Sequence, residues 1–382
     1  MKYITHSSDV ELVCKRLSDS DFVTVDTEFL RDNTYYPKLC LIQVADDQDA
    51  HAIDPLADGI DLSAFWELMR NEKVIKVMHA CRQDMEIFFN EMQSLPKPIF
   101  DTQVAASVCG FGDSVGYETL VNKIAKKSID KSSRYTDWSR RPLTDKQLDY
   151  AIGDVTHLRK VYRFLDKRIT ERERSDWMQD ELGILTSVET YDIDPTKVWQ
   201  RVKVRTNNPR FLGILIKIAE WRERQAIDRN IPRNRVCKDD VLLEICAHPP
   251  KVAEDLDKIR GLSKGFSRSK AGQTLKTYID AALEVSDEDL PKLDRNKPRK
   301  QPPPMVDLLK VLLKIRCNEV GVAPRLVASA AEIETLATNP EADIRPVQGW
   351  RMDVFGKDAL AMINGKMALT ARDGQITVVE VD

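Results

Sequence analysis

The chain has 382 residues, with 58 Lys and Arg against 61 Asp and Glu, a formal net charge of −3. That length suits two or three domains, and 42% hydrophobic with 31% charged residues is ordinary for a soluble protein that buries a core in each. No apolar run approaches the ~18 residues of a transmembrane helix, and the opening Met1-Lys2-Tyr3-Ile4-Thr5-His6 has no signal-peptide core.

In chain order, Phe22 to Phe29 reads as a strand, with β-branched and aromatic residues over strand length. Leu39–Ala45 and His51–Asp54 are two further apolar runs around the polar turn 46–49, so the three form a meander. A helix over Leu62–Met69, a strand over Lys73–Met78 and a helix over Arg82–Met92 follow. Ile99–Asp101 is a short strand entering the helix Thr102–Val108. One long helix spans Thr144 to Arg174, with Leu148, Ile152, Val155, Leu158, Val161 and Leu165 as its apolar stripe. After Asp194 the pattern turns helical: Phe211–Arg224, Asp239–Ala247, Lys251–Ile259 and Lys270–Leu283. The charged, Pro-rich stretch from Asp287 to Pro304 reads as a linker. Pro304–Asn318 opens a third block, and strand pattern returns only in the last dozen residues. The two helical blocks align at an offset of 91 residues, Ile231 on Val322 and Val236 on Val327, which reads as a diverged duplication. The cysteines (Cys14, Cys40, Cys81, Cys109, Cys237, Cys246 and Cys317) form no Cys-x-x-Cys pair, which argues against a zinc ribbon and fits a reducing cytoplasm.

Asp26 and Glu28 stand two apart on a strand, so both carboxylates share one face. Their mutual repulsion is best relieved by a bound cation, although acids are also common where a strand enters solvent. Asp84 falls on the first turn of a helix after a strand, where it equally suits the helix dipole. Tyr150 and Asp154 are four apart and stack on one helix face, with Asp154 close to the apolar stripe. His79 ends a strand and is better read as a local hydrogen-bonding residue than as a general base. Asp101, also near a strand edge, is left out of the metal set.

Taken together, the order Asp26-Thr27-Glu28, then His79-Ala80-Cys81-Arg82-Gln83-Asp84, then Phe100-Asp101-Thr102-Gln103, then the run Asp137 to Val155 with Tyr150 and Asp154, resembles the DEDDy class of 3′→5′ exonucleases. Within it the chain is most similar to the bacterial ribonuclease D family, over essentially its whole length. The resemblance implies an α/β, RNase H-like exonuclease domain, a mixed sheet flanked by helices, over 1–194. It implies a first all-α HRDC domain (helicase and RNase D C-terminal type) over 206–286 and, after a linker at 287–303, a second, diverged HRDC-like domain over 304–370. Asp26, Glu28 and Asp154 are expected to bind one divalent ion, Mg²⁺ or Mn²⁺, with Asp26 and Asp84 serving a second. Two ions roughly 3.5–4 Å apart activate the attacking water and stabilise the leaving 3′ oxygen. Tyr150 is expected to orient that water, since a phenol with a pKa near ~10 is a poor base at neutral pH.

Lys123 to Lys146 is rich in cations with Tyr135 and Trp138 interleaved, a composition that grips single strands. Arg134, Arg140 and Arg141 are expected to contact phosphates. Trp138 is open between base stacking and core packing. Phe29 and the Leu39–Gln43 region are expected to wall the terminal nucleotide. Arg222, Arg224, Arg229, Arg233, Arg235, Lys238, Lys264, Arg268 and Lys270 suit an auxiliary RNA clamp, the default being a solvated face. The implied substrate is RNA with a single-stranded 3′ end, tRNA precursors by family resemblance, cut to nucleoside 5′-monophosphates by a monomer. The rivals are a DNA 3′→5′ exonuclease and a non-catalytic RNA-binding scaffold. By segment, residues 1–194 carry a net −10, 195–300 a net +9 and 301–382 a net −2, so near-neutrality averages an acidic domain and a basic one.

Overall fold

The computed structural model describes residues 2–130, 132–134, 136–290 and 303–381. Lys131, Tyr135 and most of the expected linker therefore lie outside the described residues.

The N-terminal part is built on a six-stranded mixed sheet in the order β1-β4-β3-β2-β5-β6: β1 Lys2–Ile4, β2 Phe22–Leu30, β3 Lys38–Ala45, β4 Ala50–Ile53, β5 Ile75–Met78 and β6 Ile99–Asp101. β2, β3 and β4 form the expected antiparallel meander. β5 and β6 add in parallel on the other side of β2. β1 and the helix α1 (Ser7–Leu17) carried no recognised sequence signal. Three residues of strand are too short to show alternation, and β1 is defined only by its parallel pairing with β4.

α2 (Ser63–Arg70), α3 (Arg82–Met92), α4 (Thr102–Val108) and the single turn α5 (Tyr117–Leu120) follow in order. The expected long helix is two: α6 (Asp145–Thr156) and α7 (Leu158–Glu171), divided at His157. Hydroxyls from two other segments bond α6 at this division. The Tyr117 hydroxyl donates to the carbonyl oxygens of Gly153 (3.0 Å) and Asp154 (2.6 Å), and Thr24 Oγ1 donates to that of Val155 (2.9 Å). Side-chain hydroxyls thus bond the last carbonyls of α6 where the helix divides, while the Gly153 carbonyl still accepts the His157 N–H. α6 starts on a capping box made by Thr144 and Gln147. α6 packs on the β2–β3–β4 side of the sheet, with Phe22 and Thr24 on the same face as Asp26, as period two requires. Val23 and Val25 join the core on the opposite face.

After α8 (Ser175–Leu182), the first helical block comprises α9 (Pro209–Asp228), α10 (Arg233–Val236), α11 (Asp239–Ala247) and α12 (Lys270–Glu284). The segment 253–258 is a 3-10 turn where a helix over Lys251–Ile259 was expected. The second block comprises α13 (Met305–Val320), α14 (Pro324–Val327), α15 (Ala330–Thr338), the turn α16 (Gly349–Arg351) and α17 (Lys357–Ile363), then a hairpin of β7 (Met367–Arg372) and β8 (Gln375–Glu380). α10 and α14, and likewise α11 and α15, stand 91 residues apart at both ends.

The two blocks attach differently. The first has its own apolar core, around Leu212, Leu215, Trp221, Leu242, Leu275 and Ile279. Polar groups hold it to the β2–β3 loop. The Tyr35 hydroxyl donates to Glu223, and Arg233 lies 2.6 Å from Glu223 and over the Tyr35 ring. Asn230 Oδ1 accepts both the Tyr35 and Tyr36 N–H groups at 3.0 and 3.1 Å. The second block instead shares one continuous core with the sheet, Leu309, Leu312, Phe355 and Met362 included. Across that seam Trp350 stacks on Trp177 with centroids 4.1 Å apart, and Arg174 donates to the carbonyls of Val108 and Gly321 at 2.7 and 2.9 Å.

Candidate active site

β2 ends the sheet's longest strand pairing at a cleft of about 910 Å³. Its floor is acidic. One oxygen from each of Asp26, Glu28 and Asp154 lies within 4.8 Å of the other two. β2 supplies the first two at alternate positions, and α6, crossing that face, supplies the third. Asp84, from the first turn of α3, lines the same cleft but stands outside this group of three. Thr27, which points away from Asp26 and Glu28, donates from Oγ1 to Asp84 Oδ1 at 2.5 Å. β2 therefore positions three carboxylates, two directly and one through a hydroxyl.

Such a cluster resists ionisation. Burial, followed by the charges of Asp154, Asp84 and Glu28, raises Asp26 well above the usual carboxylate range. Burial and the charges of Asp154 and Asp84 push Glu28 up to about 9, against the pull of Arg134. Burial pushes Asp154 up to about 7, although Tyr150 and Arg134 favour its charged form, and burial pushes Asp84 up to about 7 against its bond from Thr27. Oxygen donors at this spacing, each costly to ionise alone, fit a hard divalent cation that restores their charge.

Tyr150 lines the same cleft one helical turn before Asp154, close enough to favour its charged form. Burial, then Asp154, Glu28 and Asp26, hold its phenol protonated, above its ordinary value. His79 bonds Thr102 Oγ1 through Nδ1 at 2.9 Å, and burial lowers its pKa, consistent with a local structural role.

Two further residues support the site: Asp101, which the sequence reading left out of the metal set, and Tyr117, which it missed. Asp101 accepts the backbone N–H groups of Ala80, Cys81, Gln103 and Val104, so one buried carboxylate caps α4 and fixes the turn that leads to Asp84. Tyr117 anchors the carbonyl of Asp154 itself. A Tyr next to Gly116 carries no chemical motif, so its partner 37 residues on was not legible.

The expected nucleic-acid contacts divide. Phe29 and Arg134 line the cleft, joined by Leu30, Arg31 and Asp32. Trp138 also reaches the wall, yet it is only 2% exposed and packs with Leu143, Leu148 and Ala151. Arg140 is exposed, pairs with Asp137 and is not among the residues that line the cleft. Arg141 is a structural clamp: it grips Asp54 with two bonds of 2.6 Å and donates to the carbonyls of Cys40 (2.7 Å) and Trp138 (2.8 Å). Leu39–Gln43 is buried in the sheet rather than placed on the wall. In the first helical block, Arg222 is bound to Asp239, Arg224 to Glu220 and Arg233 to Glu223, which leaves a smaller basic surface than the sequence suggested.

Known proteins carry the same plan. A family model described as 3′-5′ exonuclease matches residues 1–170, and one described as HRDC domain matches 211–275. The ribonuclease D of Nitrobacter hamburgensis is 44% identical over 380 residues, covering 100% of both chains. The chain belongs to the ribonuclease D family. That of a Jannaschia species is 45% identical over 99% of each chain. The crystal structure of Escherichia coli RNase D, described as an exoribonuclease involved in structured RNA processing, superposes with a TM-score of 0.80 at 27% identity, covering 95% of this chain and 98% of that one. As a ribonuclease D family member, the chain is a 3′→5′ exoribonuclease with its acidic cleft in an RNase H-like domain and an HRDC domain behind it.

Proposed function

We propose that this exoribonuclease trims single-stranded 3′ ends of tRNA precursors, one nucleoside 5′-monophosphate at a time, by hydrolysis with two divalent ions. The observation that supports this reading is the meeting of Asp26, Glu28 and Asp154 within 4.8 Å. These three would hold one Mg²⁺ or Mn²⁺, and Asp26 with Asp84 the other. Ions in that arrangement supply an activated water and a neutralised leaving oxygen. The chain's own residues set the geometry. Tyr150, kept protonated by its surroundings, donates and orients rather than abstracting a proton. Arg134 adds positive charge beside Glu28 and Asp154, where a phosphate approaches. Phe29 walls the terminal nucleotide.

In this reading the exonuclease domain is 1–194, the first HRDC domain 206–286, the linker 287–303 and a diverged HRDC-like domain 304–370. The protein acts as a cytoplasmic monomer. Matched helices 91 residues apart support the duplication. A 3′-end digestion time course on a tRNA precursor tests the reading. It should need divalent ion, stop with chelator, and fall by at least ~10³-fold in Asp26→Asn and Asp154→Asn; trimming at the wild-type rate by either variant refutes the site.

A further inference from the structure

β3 places Gln43 directly opposite Asp26 in the antiparallel register, and Ala52 of β4 opposite Gln43 on its far side. Partners in register share a face of the sheet. The Gln43 side chain therefore lies on the carboxylate side, beneath α6. It is 0% exposed, and neither its Oε1 nor its Nε2 has a hydrogen-bond partner. Its register partner on β4, Ala52, and Ala45, two residues along β3, are both buried and apolar. The nearest hydroxyl along β2, that of Thr24, is committed to the carbonyl of Val155. A buried amide without partners destabilises a fold, and an apolar side chain of the same size would sit there at less cost.

The one polar side chain in register with it is Asp26. We propose that Gln43 is a positioning residue of the metal site, whose amide N–H donates to the Asp26 carboxylate when the site holds a divalent ion. This rests on the reading of Asp26 as a metal ligand. An amide can serve this role without adding charge to a cluster that already holds four acids. It favours the carboxylate form and fixes which oxygen faces the ion, as hydrogen-bond donors behind metal ligands commonly do.

The test is Gln43→Met, close in volume and apolar, with Gln43→Leu as a second shape should the first not fold. Two quantities are read on the full chain: the melting temperature in chelator, and the Mn²⁺ affinity by calorimetry or electron paramagnetic resonance. The expected result is a melting temperature raised by a few degrees together with an Mn²⁺ dissociation constant weakened about tenfold or more. A merely structural glutamine would lower the melting temperature and leave Mn²⁺ affinity unchanged, which overturns the proposal. Wild-type protein that binds no Mn²⁺ would instead refute the metal site itself, so the two failures are distinguishable.

Discussion

At the residue scale the cleft is a site that works against its own fold. Four acids, three of them within 4.8 Å, are held where their ionised forms repel. An unfolded carboxyl titrates near ~4, whereas burial raises Asp84 and Asp154 to about 7 and Glu28 to about 9. Between about pH 4 and 9 the folded metal-free protein thus binds more protons than the unfolded chain, and its stability falls as pH rises. Melting curves in chelator should slope downward over that window, and saturating Mn²⁺ should flatten them; a flat chelator series would contradict the raised values. Arg141 shows the opposite economy. Its partner Asp54 is only 4% exposed, so Arg141→Ala strands a buried charge and should cost about 3–5 kcal/mol. Denaturant unfolding measures that loss, and the KM for RNA of the folded fraction should stay at the wild-type value. The sequence made Asp26, Glu28, Tyr150 and Asp154 legible because their chemistry depends on local spacing. It could not show that Arg141 turns inward, because the deciding partner lies 87 residues away.

At the scale of elements, β2 and α6 carry the site and everything else aims them. α6 brings both Tyr150 and Asp154, and its C-terminal turn is tied down by Tyr117 and Thr24. Tyr117→Phe removes a donor to two carbonyls, worth about 1 kcal/mol or slightly more. We expect single-turnover cleavage to slow about tenfold with the circular dichroism spectrum unchanged; an unaltered rate would mean that Thr24 and the capping box suffice. The periodicity identified the apolar stripe through both α6 and α7 correctly, since Val155, Leu158, Val161 and Leu165 are all buried. It missed the break at His157 because no Gly or Pro marks it. Hydroxyls from distant segments bond the carbonyls beside it, and periodicity is blind to them.

At the scale of the molecule, the near-neutral total charge resolves into an acidic catalytic sheet and a basic helical block held to it by Tyr35, Asn230, Glu223 and Arg233. The two helical blocks look alike in sequence rhythm, yet one keeps its own core and the other completes that of the sheet. Composition cannot distinguish these attachments, because both blocks present ordinary amphipathic helices. Thermal unfolding should show two steps, with the first block separable from the sheet and second block together. Gly110 tests the seam. Its φ is +80°, and a Cβ there would stand 2.6 Å from the Gly321 carbonyl oxygen. Gly110→Ala should therefore destabilise by more than ~1 kcal/mol and expose the segment from 303 onward to protease; resistance equal to wild type would show that the seam can give way.

The shared core also sets an order of events during translation. The catalytic carboxylates are all made by residue 154, but the helices that cover the neighbouring apolar face begin at Met305. At ~5–20 residues per second the nascent sheet waits roughly 10–30 s for its cover. A ribosome that stops early, inside or just after the basic block, releases a chain with every catalytic side chain and an open hydrophobic flank. The second block thus covers an apolar face that the catalytic half, made first, leaves open to water.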